Sequence, residues 1–533
     1  MLSTMEITVR FPDALLATAA VKPFVLFRDH IRPAIEARWA ALDAMYASVM
    51  GRPEIDPVLL LGVTELQALE RVPDRQALER CLFDLRWRWA LGIPDGWKGF
   101  HPSTLSYFRG RLVQHDQAKL AFDAGLEAMR AAGYLGARRA VRIDSTHVLA
   151  ELAAMSRLEC VRETLRLALE FLAAWGGSAD WEPWFSRYAD RNPADLRKAS
   201  VPHLRATMAR AGADIRVVLD RVDGLGDGAA QADPVRLLKR VFADEFEETT
   251  GPVPVQRPST PAGAVHNPHD PEAQWSTKGA LGKTGWVGYK VQVCETAAKT
   301  VRDKREPTEA VITAVVTQPA TTSDHGSLAP VLAVHTASGQ PAPETVFADA
   351  GYISAPALEQ AEARGYELCG PIGAPPHSSK RLGSDSFDVD IPNRRAICPA
   401  GTPSTECARI TETGRDDTYF YFAWARADCA ACPLAPQCLS KKKLQPFRTL
   451  QVGEMHMLVQ ARRELCRTPA YQERMHRRSG IEGTNSEVKR AYGIRRCRYR
   501  GLAKTNVQMQ FAGAACNLRR WAVRLCWLAR PST

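Results

Sequence analysis

Three acidic residues of the sequence are candidates for metal-assisted phosphate chemistry. Asp144 lies in "VRIDSTHV", Asp349 follows the apolar run "TVFA", and Glu482 lies within the basic stretch "RRSGIEGTNSEVKRAYGIRRCRYRG". Three carboxylates brought together would repel one another unless a cation lay between them, and such hard oxygen ligands suit Mg²⁺ or Mn²⁺. Two ions of this kind could activate an attacking oxygen and stabilise a leaving oxygen at phosphorus.

Helix geometry separates Glu482 from its acidic neighbour. Residues 468–493 are predicted to form a helix, which advances about 100° per residue. Arg478 and Lys489 then lie within about 40° of Glu482, on one face, whereas Glu487 lies roughly 140° away. We therefore expect cations to flank Glu482 and Glu487 to be a solvated surface charge.

The positive charge is concentrated at one end of the chain. Residues 441–533 contain 21 Lys and Arg against 5 Asp and Glu, whereas the other 440 residues contain 49 against 54. Such a field attracts polyanions such as nucleic acid, although a solvated basic face is the alternative. Four arginines of "GIRRCRYRG" are candidate phosphate contacts: Arg495, Arg496, Arg498 and Arg500.

The first part of the chain, residues 1–138, shows the three-and-four spacing of apolar residues that is typical of helices. It ends in a basic and aromatic segment that carries Tyr107, Arg109 and Arg111. This domain could bind DNA, or it could be a bundle that only packs or dimerises. Both interpretations stay open.

The remaining elements predict a mixed α/β fold in which helices flank a mixed sheet. Period-two alternation predicts a first strand within 139–151, and further strands and helices follow in 276–373 and in the basic C-terminal part, 444–533. Two insertions interrupt this core. Residues 152–275 are mostly helical and end in a Pro/Gly-rich connector, and residues 374–443 are rich in cysteine.

Lys290 lies on a predicted core strand, and His147 is three residues from Asp144. Either side chain could approach the acids. We assign both of them an ordinary structural role.

The second insertion carries a C-x2-C-x5-C pattern formed by Cys429, Cys432 and Cys438, with Cys398 upstream. Four thiolates would make a closed tetrahedral zinc site, although Cys407 competes for the fourth place. A set of reduced thiols is the alternative. The single cysteines elsewhere are expected to be reduced.

No long uncharged apolar run occurs, and the first twenty residues carry charges where a signal peptide needs an apolar core. We expect a soluble protein of the cytoplasm that does not enter a membrane.

These features resemble the DDE transposases of bacterial insertion sequences. The resemblance rests on "RIDSTHV", on "VFADAGY", and on the pattern Y-x2-R-x3-E-x6-K, in which Arg478, Glu482 and Lys489 match with the required spacing. Met475 stands at the Tyr position. The segments "HPSTLSYFRGRL" and "YGIRRCRYRGLAKTNVQMQFAGAACNLRR" also look like parts of that family.

The resemblance implies a ribonuclease-H-like core with two Mg²⁺ or Mn²⁺ ions held by Asp144, Asp349 and Glu482 as catalytic acids. Arg478 and Lys489 would contact DNA phosphates. The implied partner is double-stranded DNA, both terminal inverted repeats and target, and pairing two ends suggests a homodimer at the bacterial nucleoid. Related transposases carry a similar cysteine pattern.

Two other functions stay open at this point. The chain could be a catalytically inactive or domesticated DNA-binding protein. It could also be a metal-dependent nuclease that cuts DNA without strand transfer.

Overall fold

A helical N-terminal region precedes a mixed sheet in the computed structural model of the chain. The structure describes residues 11–46, 55–137, 139–176, 179–191, 193–194, 196, 198–249, 251, 253–278, 284–297, 306–373, 382–411, 418–439 and 447–530. The domain limits predicted at 138, 374 and 443 lie outside these residues.

The N-terminal region is built around one buried helix, Pro57–Glu70. Apolar residues surround this helix on all sides, as expected of a helix in the middle of a core, and the Asp56 side chain caps it by accepting a hydrogen bond from Val58 N at 2.8 Å. The other helices of the region are Asp13–Leu16, Lys22–Leu26, the π-helical Phe27–Ile31, Arg32–Glu36, Trp39–Asp43, Asp74–Phe83, Leu85–Leu91, Ser103–Gln114 and Leu120–Ala131.

The central sheet has six strands among the described residues. In chain order the first eight strands are β1 (Ala140–Leu149), β2 (Phe246–Glu247), β3 (Val255–Gln256), β4 (Gln274–Lys278), β5 (Thr284–Thr296), β6 (Ile312–Pro319), β7 (Thr345–Phe347) and β8 (Glu367–Cys369). β5 pairs antiparallel with β1, β4 and β6, whereas β1, β7 and β8 are parallel neighbours. This order, β6-β5-β1-β7-β8, is ribonuclease-H-like and confirms the predicted fold class.

Alternating side chains give the sheet two apolar faces. Val291 and Val293 of β5 belong to the same core as the Leu502–Leu528 helix, whereas Cys294 belongs to the core beneath the Asp324–Ala337 and Ala355–Ala363 helices. Because neighbouring side chains along a strand point to opposite faces of the sheet, one strand contributes residues to both cores. The sheet is thus buried between helices on either side.

The first insertion has a separate hydrophobic core formed by its own helices. These helices are Arg157–Gly176, Ala179–Trp181, Glu182–Tyr188, Val201–Asp223, Asp227–Ala230 and Asp233–Glu245, and the β2–β3 ribbon follows them.

The second insertion is mostly β-structure around Phe387, Phe422 and Trp424. Its elements are the Ser384–Ser386 turn, β9 (Asp388–Asp390), β10 (Arg395–Ile397), β11 (Glu406–Thr411), β12 (Thr418–Ala423), and the Arg426–Ala430 and Ala435–Cys438 helices; β13 (Thr449–Gly453) completes its sheet.

The chain then returns to the core through helical segments. They are His456–Arg467, Pro469–Met475, the 3₁₀ turn His476–Ser479, Gly480–Ala491 and Leu502–Leu528. The single helix predicted over 468–493 is therefore interrupted by the 3₁₀ turn that carries Arg478. In the described part of the chain, none of the helices combines the length and apolar character needed to cross a membrane.

Candidate active site

The three predicted acids line one cavity of about 500 Å³. Asp144 comes from β1, Asp349 follows β7, and Glu482 lies on the Gly480–Ala491 helix. β1 and β7 are parallel, and Arg142 lies opposite Phe347. Two residues further along both segments, the same register places Asp144 opposite Asp349. The predicted cations Arg478 and Lys489 line the same cavity.

Asp144 is fixed in place by two hydrogen bonds. Its Oδ1 accepts from Ser145 N at 2.8 Å, and its Oδ2 accepts from Asn485 Nδ2 at 2.8 Å. Burial raises the pKa of Asp144 to about 6, and the negative charge of Asp349 adds to this effect while Arg478 opposes it. A carboxylate in this position is therefore stabilised in its charged form by an added cation.

Asp349 is held by a tight turn. Its Oδ1 accepts a hydrogen bond from Gly351 N at 2.8 Å. A Cβ on Gly351 would lie 3.1 Å from Asp349 Oδ1 and also 3.1 Å from Asp324 Oδ2. Glycine at 351 therefore leaves room for two carboxylates side by side.

Glu482 is directed towards a cation of the 3₁₀ turn that precedes its helix. Arg478 Nη2 lies 3.2 Å from Glu482 Oε1, and the Glu482 side chain is 62% exposed. Glu482, Arg478 and Lys489, which were predicted to share one helix face, all line the cavity.

The expectation for Glu487 is wrong. Its Oε2 accepts from Arg520 Nε at 3.0 Å and Nη2 at 2.8 Å, and its side chain is only 31% exposed. The physical reason is that the Leu502–Leu528 helix covers this face of the shorter helix. Glu487 therefore joins two helices and is not a free surface charge.

A buried polar network anchors the Glu482 helix to the sheet. Glu295 of β5 is fully buried and accepts from Arg142 Nε at 2.5 Å, Thr484 Oγ1 at 2.7 Å and Arg520 Nη1 at 2.9 Å. A Cβ on Gly480 would lie 1.8 Å from Arg142 Nη1, so only glycine permits this close approach. The network fixes the distance between β1 and the helix that carries Glu482.

Two residues to which the sequence analysis assigned a structural role, Lys290 and His147, line the cavity. Lys290 Nζ donates to Thr322 O at 2.7 Å and lies 3.2 Å from Asp324 Oδ1. The His147 ring lies 5.3 Å from the Trp286 ring.

Two further cavity residues, Asp324 and Asn485, were missed altogether. Asp324 is the first residue of a helix that Ser323 caps, and in sequence an acid there is indistinguishable from an ordinary first-turn charge. Asn485 stands three residues after Glu482, so helical spacing could have placed it near the same face.

The four arginines after the Glu482 helix are exposed and run beside the end of β1. Leu149 N donates to Arg495 O, and Cys497 N donates to Leu149 O, both at 2.9 Å. Arg500 Nε lies 3.1 Å from Glu151 Oε2. Strand-like pairing thus fixes the segment that presents Arg495, Arg496, Arg498 and Arg500.

The side chain of Met475, at the Tyr position of the pattern, is partly buried. It packs against the cluster of Ala297, Phe347, Cys369 and Tyr471 beside the sheet. A side chain at 475 therefore contributes to the packing under the helix and does not line the cavity.

The metal sites predicted from the sequence stay predictions. Within the described ranges, no group of three or more His, Cys, Asp or Glu side chains is arranged to hold a metal ion. The carboxylate oxygens of the three acids are donors that suit a hard cation. Asp144 is buried beside the negative charge of Asp349, and Glu482 is paired with Arg478.

The zinc site of the second insertion also stays a prediction. Cys398, Cys429, Cys432 and Cys438 do line one small cavity of the second insertion. Burial raises the pKa of the Cys438 thiol, and Cys429 Sγ accepts a hydrogen bond from Arg448 N at 3.4 Å. Zinc ligation and a set of reduced thiols therefore both remain predictions for these cysteines.

Comparison with known families matches both ends of the chain. Residues 20–111 match the family model described as Transposase domain (DUF772), and residues 397–522, which include Glu482, match the one described as Transposase DDE domain. No curated protein and no solved structure matches the chain. DDE transposases act on DNA and generally use divalent metal ions. Two segments that match transposase domains, together with a ribonuclease-H-like sheet, support a DDE transposase of the insertion-sequence type.

Proposed function

We propose that this transposase cuts DNA at the ends of its element in a divalent-metal-dependent reaction and joins the freed 3′ hydroxyls to target DNA. The observation that carries the proposal is the single cavity lined by Asp144, Asp349, Glu482, Arg478 and Lys489. Acids that repel one another and cations that attract phosphate line the same cavity.

In this proposal Asp144, Asp349 and Glu482 would hold Mg²⁺ or Mn²⁺, and the bound ion would supply activation of the attacking oxygen and stabilisation of the leaving oxygen at phosphorus. Asn485 and the Ser145 amide keep Asp144 in its orientation. When Glu482 turns away from Arg478, the guanidinium becomes available for a phosphate, and Lys489 provides a second positive charge beside it.

The exposed arginines at 495, 496, 498 and 500 bind the DNA backbone next to the cavity. Because two element ends must be cut and joined together, the working form is a homodimer on DNA, acting at the nucleoid of the bacterial cytoplasm.

The test uses a plasmid that carries the element with both of its ends. Asp144→Asn, Asp349→Asn and Glu482→Gln should each abolish cleavage under Mg²⁺ and Mn²⁺ while the protein still binds DNA. The matched control is Glu473→Gln, since Glu473 is 80% exposed and lies outside the cavity. Full activity in any of the three acid variants would refute the assignment.

The same experiment separates the two alternatives. Cutting without a joined product would favour a nuclease. Binding to the ends without cutting under either metal would favour an inactive DNA-binding protein.

A further inference from the structure

A second cleft lies between the N-terminal region and the basic C-terminal segment, and the proposed chemistry does not use it. Its volume is about 460 Å³. The Ser103–Gln114 helix provides Tyr107, Gly110 and Arg111 on one side, and Tyr499 and Lys504 lie on the other. The cleft is thus built from both of the segments that match transposase domains.

The cleft presents an exposed aromatic ring and two cations. Tyr107 is 71% exposed, and within the described residues its ring contacts no other ring. The guanidinium of Arg111 lies 4.2 Å from the centre of the Tyr46 ring, and this contact orients the side chain. Lys504 is exposed and forms no ion pair with the described part of the chain.

The third cation of the cleft, Arg109, already has its charge neutralised by an ion pair. Arg109 Nη2 lies 2.7 Å from Asp74 Oδ2, and its guanidinium lies 5.3 Å from the centre of the Tyr499 ring. Arg109 therefore supports the cleft wall, while Arg111 and Lys504 provide the positive charge available to a ligand.

We propose that this cleft binds an unpaired nucleotide of the DNA, with the base against Tyr107 and the phosphate between Arg111 and Lys504. A volume of this size falls in the range of small-ligand sites and accommodates one nucleotide. An exposed aromatic face beside a positive groove is the arrangement that binds single-stranded DNA, whereas a duplex keeps its bases stacked inside. The inference rests on the proposed function only in taking DNA as the substrate.

The first test measures binding without metal, by fluorescence anisotropy of a labelled single-stranded oligonucleotide and of a blunt duplex of the same sequence. Tyr107→Ala should weaken single-strand binding by about 10-fold, the effect of losing one stacked base, and leave duplex binding unchanged. Tyr107→Phe keeps the ring and should bind both as the wild type does. Phe83→Ala is the matched control, because Phe83 is 80% exposed and lies outside the cleft.

The second test fills the cleft without disturbing the protein around it. A Cβ on Gly110 would meet no atom of the described chain within 4 Å, so Gly110→Trp extends into open space, and Gly110→Ala is its control. Gly110→Trp should reduce single-strand binding as Tyr107→Ala does. Lys504→Gln should lower the slope of log affinity against log salt concentration by about 0.7 for the single strand.

Single-strand binding that is unchanged in Tyr107→Ala and Gly110→Trp would overturn the proposal. Equal losses of affinity for the single strand and for the duplex would also overturn it, because the cleft would then contact only the DNA backbone. Neither binding test requires DNA cleavage. If the protein fails to cut DNA but Tyr107→Ala still weakens single-strand binding, only the proposed function is refuted.

Discussion

Asn485 donates a hydrogen bond from Nδ2 to Asp144 Oδ2 at 2.8 Å, across a separation of 341 residues in the chain. This bond connects the first strand of the sheet directly to the helix of Glu482. One proposed metal ligand, Asp144, is therefore oriented by an amide side chain of the helix that carries another, and this side chain is only 5% exposed.

Asn485→Ala should slow DNA cleavage by about 10- to 100-fold, as is typical when a residue that orients a metal ligand is removed. The reason is that Asp144 loses the donor that fixes its carboxylate. The measurement is the single-turnover cleavage rate at saturating DNA, with Ser486→Ala, one residue along the helix, as control. An unchanged rate would show that Ser145 N alone positions Asp144.

Arg520→Met should destabilise the protein by about 3–5 kcal/mol, because it leaves the buried charge of Glu295 without one of its partners. The free energy of unfolding from denaturant titration measures this loss. Arg519→Met is the matched control, since the neighbouring Arg519 is exposed. Equal stability of the two variants would contradict a structural role for the network.

Glu65 should make stability depend on pH. Burial raises the pKa of Glu65 from 4.5 to about 8, and neither of its oxygens has a hydrogen-bond partner among the described residues. Because the folded state binds this proton more tightly than the unfolded state, the stabilising contribution is complete below pH 4.5 and is lost as the pH rises through about 8. The loss is at most about 5 kcal/mol.

Unfolding free energies of the wild type and of Glu65→Gln should therefore diverge with rising pH, and the variant should become the more stable of the two. Parallel pH profiles would mean that Glu65 does not titrate in this window.

Met475→Tyr, which restores the residue of the family pattern, should destabilise the protein by about 1–3 kcal/mol without speeding cleavage. The larger side chain would have to enter the cluster around Phe347 and Tyr471. Met475→Leu conserves volume and should cost less than about 1.5 kcal/mol. Thermal unfolding and the cleavage rate are the two measurements, and faster cleavage by Met475→Tyr would show that position 475 takes part in the reaction.

The sequence predicted what depends on local periodicity. The alternation around Asp144 indicated β1, and the spacing of Arg478, Glu482 and Lys489 indicated one shared face, because both patterns are set within a few residues. The mixed sheet flanked by helices also followed from the order of strands and helices, whereas its ribonuclease-H-like character was implied by the family resemblance.

Partners that are distant in sequence could not be predicted in this way. Glu487 looked solvated because Arg520, 33 residues later, belongs to another helix. Asp324 looked like an ordinary first-turn acid until the fold placed it next to the Gly351 turn. The cysteine spacing indicated ligands, but spacing alone does not determine whether four thiols point at a common centre.

The two insertions divide the proposed catalytic acids among three separate parts of the chain. Asp144 precedes the helical insertion, Asp349 lies between the two insertions, and Glu482 follows the cysteine-rich one. A growing chain on the ribosome therefore completes its N-terminal region and two of the acids well before the third is synthesised. Under the proposed assignment, a termination product that ends before Glu482 would lack the third acid and would not cut DNA.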